Sequence, residues 1–229
     1  MAWSSEAEAE SKGAFGFYNV YLGVIYGLLV TEGLQCVVKF QCDSNGDRWD
    51  SLNVFLFLGT FLVSLHFWYV CATVDELSRD FYRICVGGNE SYFDLLLLFD
   101  ALMATSFAGF VLAMFHAIPP KESRFFLWFL CAAGLSLLYD SASGLLVLYA
   151  RRVRHEEHER KTIQRYGQKV TKWINEDIVL AIGSAALYFS LREFGGQHPF
   201  AFGSTFVVFN VLLLLMDVEL LVFRTNPHR

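Results

Sequence analysis

The residues best suited to chemistry in this chain are acids set in apolar surroundings. Glu32, Asp94, Asp100, Asp140, Glu176, Asp177, Asp217 and Glu219, with His66 and Asn210, fall inside or at the edge of long hydrophobic runs. Ionisable groups at membrane depth are costly, and they persist where they face a bundle interior or water. Carboxylates gathered in this way without matching buried Lys or Arg attract cations. Asp100 and Asp140 carry the argument furthest, because apolar sequence flanks each on both sides. Their structural alternative is hydrogen bonding to a Ser, a Tyr or His66 on a neighbouring helix. Glu176, Asp177, Asp217 and Glu219 lie near an expected interface, where water reaches them.

A second element has the opposite sign. Residues 150–173, ARRVRHEEHERKTIQRYGQKVTKW, hold 8 basic and 3 acidic side chains. Glu156 with Arg160 and Glu157 with Lys161 are spaced i,i+4, which supports a solvated helix. The fourth helix is expected to run past the membrane, break near Gly167 and return through Trp173. Such a segment anchors on anionic lipid. Its sharper use is as a platform for a nucleotide or oligonucleotide at Arg151, Arg152, Arg154, Arg160, Lys161 and Arg165.

Other chemistries find less support. Ser141-Ala142-Ser143-Gly144 approaches the Gly-x-Ser-Gly of intramembrane serine proteases, but the last two apolar stretches contain no His. His155 and His158 are three residues apart, where HExxH needs four. Cys36, Cys42, Cys71, Cys85 and Cys131 form no CxxC pair, so neither a disulfide framework nor a zinc site is expected. No enzyme activity, metal or cofactor is predicted. A voltage sensor is disfavoured because no stretch repeats Arg at every third position. Proton-coupled transport through Asp100, Asp140 and His66 stays open, although no inverted repeat is visible.

The elements that must position these groups follow from composition. The chain has 229 residues, 55% hydrophobic and only 18% charged, where a soluble chain carries about a quarter charged. A bilayer core needs about 20 apolar residues in a helix. Six stretches meet that length: 15–38, 51–73, 92–116, 125–150, 174–194 and 201–223. The prediction is an all-α, polytopic membrane bundle of six transmembrane helices. Little is left between them for a soluble catalytic domain.

Orientation follows from Lys and Arg counted on each side. One side carries 13, including eight from 151–172, and the other carries Lys39, Arg48, Lys121, Arg124 and Arg192. Both termini are therefore expected in the cytoplasm of a plasma (inner) membrane protein. The chain divides into a tail (1–14), four helices (15–150), a basic helical segment (151–173), two helices (174–223) and a tail (224–229). The sequon at Asn89 then falls on the cytoplasmic side and carries no meaning.

Helix one carries a stripe of its own. Gly23 and Gly27 form a GxxxG, which permits close helix approach. Val24, Leu28, Thr31 and Gln35 follow at helical spacing, and a narrow apolar stripe with polar groups above it suits a pore gated by dewetting.

Residues 13–115 resemble the bacterial and lysosomal potassium channels of the transmembrane-protein-175 type. Phe17-Tyr18-Asn19 stands where that family has Phe-Ser-Asp, followed by Leu28-Leu29-Val30 and Glu32. The second span has Phe55-Leu56-Phe57, Phe61, His66 and Trp68; the third has Asp94, the Leu95 to Leu98 run and Ser106-Phe107. Gly13 occupies the signature Arg position and Asn19 the Asp position. The resemblance implies a homo-oligomer, with a tetramer expected, around a pore for monovalent cations. Helix one would line that pore, with its apolar constriction at Val24 and with Leu28 and Thr31 following. Phe17, Asn19, Gly23, Gly27, His66, Asp100 and Asp140 would serve helix packing and a polar network.

Overall fold

Proline placement and charge at helix ends divide the chain. A computed structural model describes residues 5–43, 51–72, 76–87, 90–118, 122–154, 156–194 and 198–224. Within them the regular elements are α1 Ser5–Asp43, α2 Ser51–Ala72, α3 Glu76–Val86, α4 Glu90–His116, α5 Glu122–Val153, α6 Glu157–Phe194 and α7 Pro199–Arg224. Pro119 and Pro120 lie beyond the end of α4, and Pro199 opens α7, where its missing N–H costs nothing. Trp68, Asp217 and Glu219 lie outside the residues whose side chains are described, as do the two tails at 1–4 and 225–229 and the sequon residue Asn89.

Three helical stretches, Gly16–Cys36, Tyr92–His116 and Arg124–Val153, are long and apolar enough to cross a membrane. Leu52–Phe67 and Phe200–Leu215 are shorter apolar stretches. The expected 174–194 stretch is the C-terminal half of α6, whose first half is strongly charged.

Helix α1 lies along α4 and α2, α4 along α5, α5 along α6, and α2 along α7. The main apolar core joins these helices through Leu22, Ile25, Leu56, Val111, Phe129 and Phe206. Phe206 of α7 occupies the space where Gly59 of α2 has no side chain, and Phe55 of α2 sits in the same way over Gly203, 2.7 Å from where a Cβ would stand. These two swaps of ring for glycine explain how α2 and α7 approach so closely.

The sequence reading changes in two places. Residues 76–86, left between stretches, form the amphipathic helix α3. Its Phe81 and Tyr82 are buried with Phe93, Val147, Ile163 and Tyr166 in a second core that ties α3 across the ends of α4, α5 and α6. Gly87 caps α3 at φ +61°, its N–H reaching the carbonyls of Arg83 and Ile84.

The second change is at Gly167, which does not break a helix. Helix α6 runs through it unbroken, and the break falls earlier, α5 ending at Val153 and α6 starting at Glu157. Arg151 and Arg152 close α5 while Glu157 and Glu159 open α6, each matching the helix dipole at that end. At Gly167, α5 and α6 come close: a Cβ there would stand 3.0 Å from Cγ1 of Val147 and 2.8 Å from Nη2 of Arg151.

Candidate functional site

Where α3 folds over the bundle, polar groups from five helices meet. Asp100 of α4 is only 4% exposed. Tyr139 of α5 donates to its Oδ1 at 2.7 Å, and Tyr82 of α3 donates to the same oxygen at 3.2 Å. The two phenol oxygens are 3.4 Å apart. Oδ2 of Asp100 has no hydrogen-bond partner. Burial, reinforced by the neighbouring phenols and Asp100, holds the Tyr82 hydroxyl well above the ordinary tyrosine range. Tyr166 is pushed up for the same leading reason, and its ring stacks on Phe81 at 4.0 Å between centroids. Both phenols therefore remain neutral hydrogen-bonding groups.

An acidic pair lies beside this cluster, Asp140 being the residue next to Tyr139 on α5. Asp140 of α5 and Asp177 of α6 are buried as near neighbours. Ser136 donates to Oδ1 of Asp177 at 2.8 Å. Beside this pair, Lys172 binds Glu176 at 2.8 Å, both on α6.

A cavity of about 100 Å³ opens between these helices. Its polar wall is Ser78, Asp100, Ser136, Tyr139 and Asp140, with His66 on the α2 side. Rings of Tyr18, Phe67, Phe107, Tyr166 and Trp173 make up much of the rest. Ser78 is 1% exposed and its Oγ has no hydrogen-bond partner.

No family model, curated protein or solved structure matches this chain.

The cavity thus unites three of the residues singled out from sequence, His66, Asp100 and Asp140. The others lie elsewhere. On α1, Tyr18, Leu22, Ile25 and Leu29 face the core, while Phe17, Asn19, Val24, Leu28, Thr31 and Gln35 are exposed on other faces. Among the described residues nothing stands within 4 Å of a Cβ built on Gly23 or Gly27, so the GxxxG packs against none of them. Phe17, Asn19, Gly23 and Gly27 accordingly do not join the polar network of His66, Asp100 and Asp140. Thr31 satisfies its hydroxyl locally, donating to the Gly27 carbonyl at 2.8 Å.

The six basic residues also separate. The guanidinium of Arg154 packs directly over Gly87 of α3, and Arg151 lies over Gly167. Lys161 pairs with Glu157 at 3.1 Å. Arg152, Arg160 and Arg165 are exposed. Ser143 is buried on α5.

Sequence reasoning missed Ser78, Tyr82, Tyr139 and Tyr166. A signal for two of them existed: Ser78, Phe81, Tyr82 and Cys85 repeat at i, i+3, i+4 and i+7, the stripe of an amphipathic helix. Tyr139 is adjacent to Asp140, but nothing in the chain marks which helix it would face.

Proposed function

We propose that the protein conducts monovalent cations, potassium-like in selectivity, through a pore lined by α1 in a homo-oligomer. One observation carries this reading. The outer face of α1 presents Val24, Leu28, Thr31 and Gln35 together, beside Gly23 and Gly27, which no described residue of the same chain covers. Small residues left bare on an apolar helix suit close approach of another copy. An apolar stripe that ends in a hydroxyl and an amide suits a dewetting gate. The resemblance of residues 13–115 to the transmembrane-protein-175 channels supports the same assignment and a tetramer.

In this reading α1, α2, α4, α5, α6 and α7 span a plasma (inner) membrane, with both termini cytoplasmic as the Lys and Arg asymmetry directs. Helix α3 and the basic start of α6 then lie at the cytoplasmic surface, against anionic lipid.

Ion flux into proteoliposomes under separate potassium, sodium and chloride gradients tests the proposal. Cation flux that falls with Thr31→Phe and rises with Leu28→Ala is expected. Chloride flux, or cation flux indifferent to both changes, would overturn it.

A second reading, proton-coupled transport within one protomer, is favoured by the neighbouring buried carboxyls of Asp140 and Asp177 and the phenol-bound Asp100 close by. Its mark would be flux that needs a proton gradient and disappears in Asp140→Asn while Thr31→Phe leaves it unchanged.

A further inference from the structure

The cavity beneath α3 has a chemistry separate from the α1 face. Two of its polar groups, both on buried residues, have valences left open. Oγ of Ser78 is unbonded on a residue 1% exposed, and Oδ2 of Asp100 is unbonded on a residue 4% exposed. Buried polar atoms are rarely left so, because a buried group without its hydrogen bond keeps the full cost of its lost hydration. Both residues line the same space. The open groups therefore point to an occupant that donates hydrogen bonds.

Sign, size and wall material narrow that occupant. Asp100 and Asp140 make the cavity acidic, which disfavours an anion. A volume of about 100 Å³ exceeds the needs of one bare alkali ion. By comparison, a cavity of about 150 Å³ accepts benzene, so a molecule of roughly four or five heavy atoms fits here. Hard metal ions require about six to eight oxygen ligands. No group of three or more His, Cys, Asp or Glu placed to hold a metal occurs among the described residues. Much of the wall is instead aromatic, from Tyr18, Phe67, Phe107, Tyr166 and Trp173. Ring faces attract diffuse cations, and aromatic cages with a carboxylate recognise alkylated ammonium groups.

We propose that this cavity binds a small organic ammonium, whose N–H groups meet Oδ2 of Asp100 and Oγ of Ser78 while its alkyl carbons rest on the aromatic wall. The site lies inside one protomer and does not depend on the pore assignment.

Isothermal titration of the purified full-length protein in nanodiscs tests this with propylammonium, its near-isosteric neutral counterpart 1-propanol, and potassium, at constant ionic strength. Saturable binding of propylammonium is expected, with neither comparison ligand competing. Asp100→Asn keeps the shape and removes the charge, and should weaken binding at least tenfold; Ser78→Ala should weaken it several-fold. Ala104→Val fills the cavity without touching a charge and should abolish binding by itself. Absence of saturable propylammonium binding to the unaltered protein overturns the proposal. So does equal binding of potassium or 1-propanol, or undiminished affinity in Ala104→Val. None of these outcomes depends on ion flux, so the pore reading stands or falls apart from them.

Discussion

Tyr139 donates its hydroxyl to Oδ1 of Asp100 at 2.7 Å, and Tyr82 reaches the same oxygen at 3.2 Å. One buried carboxylate oxygen thereby joins α5 and α3 to α4. Helix α3 is held to the bundle by this shared acceptor as well as by the apolar contacts of Phe81 and Tyr82.

The two donors should not be equal. Hydrogen bonds to charged acceptors contribute about 1.5–3 kcal/mol in soluble proteins, and interhelical ones in membranes average less, about 0.6 kcal/mol. Tyr139→Phe should therefore lower stability by about 1–2 kcal/mol, and Tyr82→Phe by less, since its bond is the longer. Unfolding in mixed micelles measures both. A larger loss for Tyr82→Phe would show that the α3 phenol is the principal donor.

Glycines give a second contrast, this time of space. A Cβ on Gly167 would meet Val147 and Arg151 from α5, whereas one on Gly134 would meet nothing within 4 Å. Gly167→Val should force α5 and α6 apart at a cost of about 1–3 kcal/mol. Gly134→Ala should be neutral or stabilise by up to about 1 kcal/mol, because it removes unfolded-state freedom from a helix position. Thermal unfolding of the two variants side by side checks the sign of each.

Much of the helical layout was legible because hydropathy and Pro placement act locally. Runs such as 92–116 and 125–150 are apolar over a full bilayer thickness, and their helices α4 and α5 fall almost on those bounds. The break between α5 and α6 was misplaced because Gly167 looks like a helix breaker in sequence. Its reason for being Gly lies on α5, with Val147 and Arg151, twenty and sixteen residues earlier. The acids Asp100 and Asp140 stood out against apolar neighbours. Their partners Tyr82 and Tyr139 did not, since an aromatic residue in an aromatic-rich chain is unremarked until its facing helix is known. The outward direction of Gly23 and Gly27 was equally invisible, because GxxxG states only that something can come close.

The Cys85 thiol on α3 yields a prediction in pH. Burial pushes it up to about 12, with the nearby Arg154 guanidinium pulling the other way. Its thiolate fraction near neutral pH should then be on the order of one part in 10⁴ or less. Maleimide labelling at Cys85 should be slow, and should accelerate about tenfold for each unit of pH. The unfolded chain loses this proton near 9.0, so the folded state is favoured by the thiol below pH 9 and loses that advantage as pH climbs toward 12. Peptide mass mapping after timed labelling reads the rate. Rapid labelling at neutral pH would mean that α3 lifts from the bundle.

Gly27 tests the outer face of α1 most directly. A Cβ added there meets no described residue within 4 Å, so Gly27→Leu should leave the protomer's own fold intact. Leu is also the better helix former by about 0.5–1 kcal/mol, which makes any loss of monomer stability hard to attribute to the helix itself. If α1 faces other copies around a pore, the added bulk should dissociate the oligomer or block conduction while each protomer still unfolds at its original temperature or above. Native mass spectrometry from nanodiscs, paired with thermal unfolding, separates the two effects. An unchanged oligomer with unchanged flux would place this stripe against lipid, and the pore would have to be sought among the interior helices.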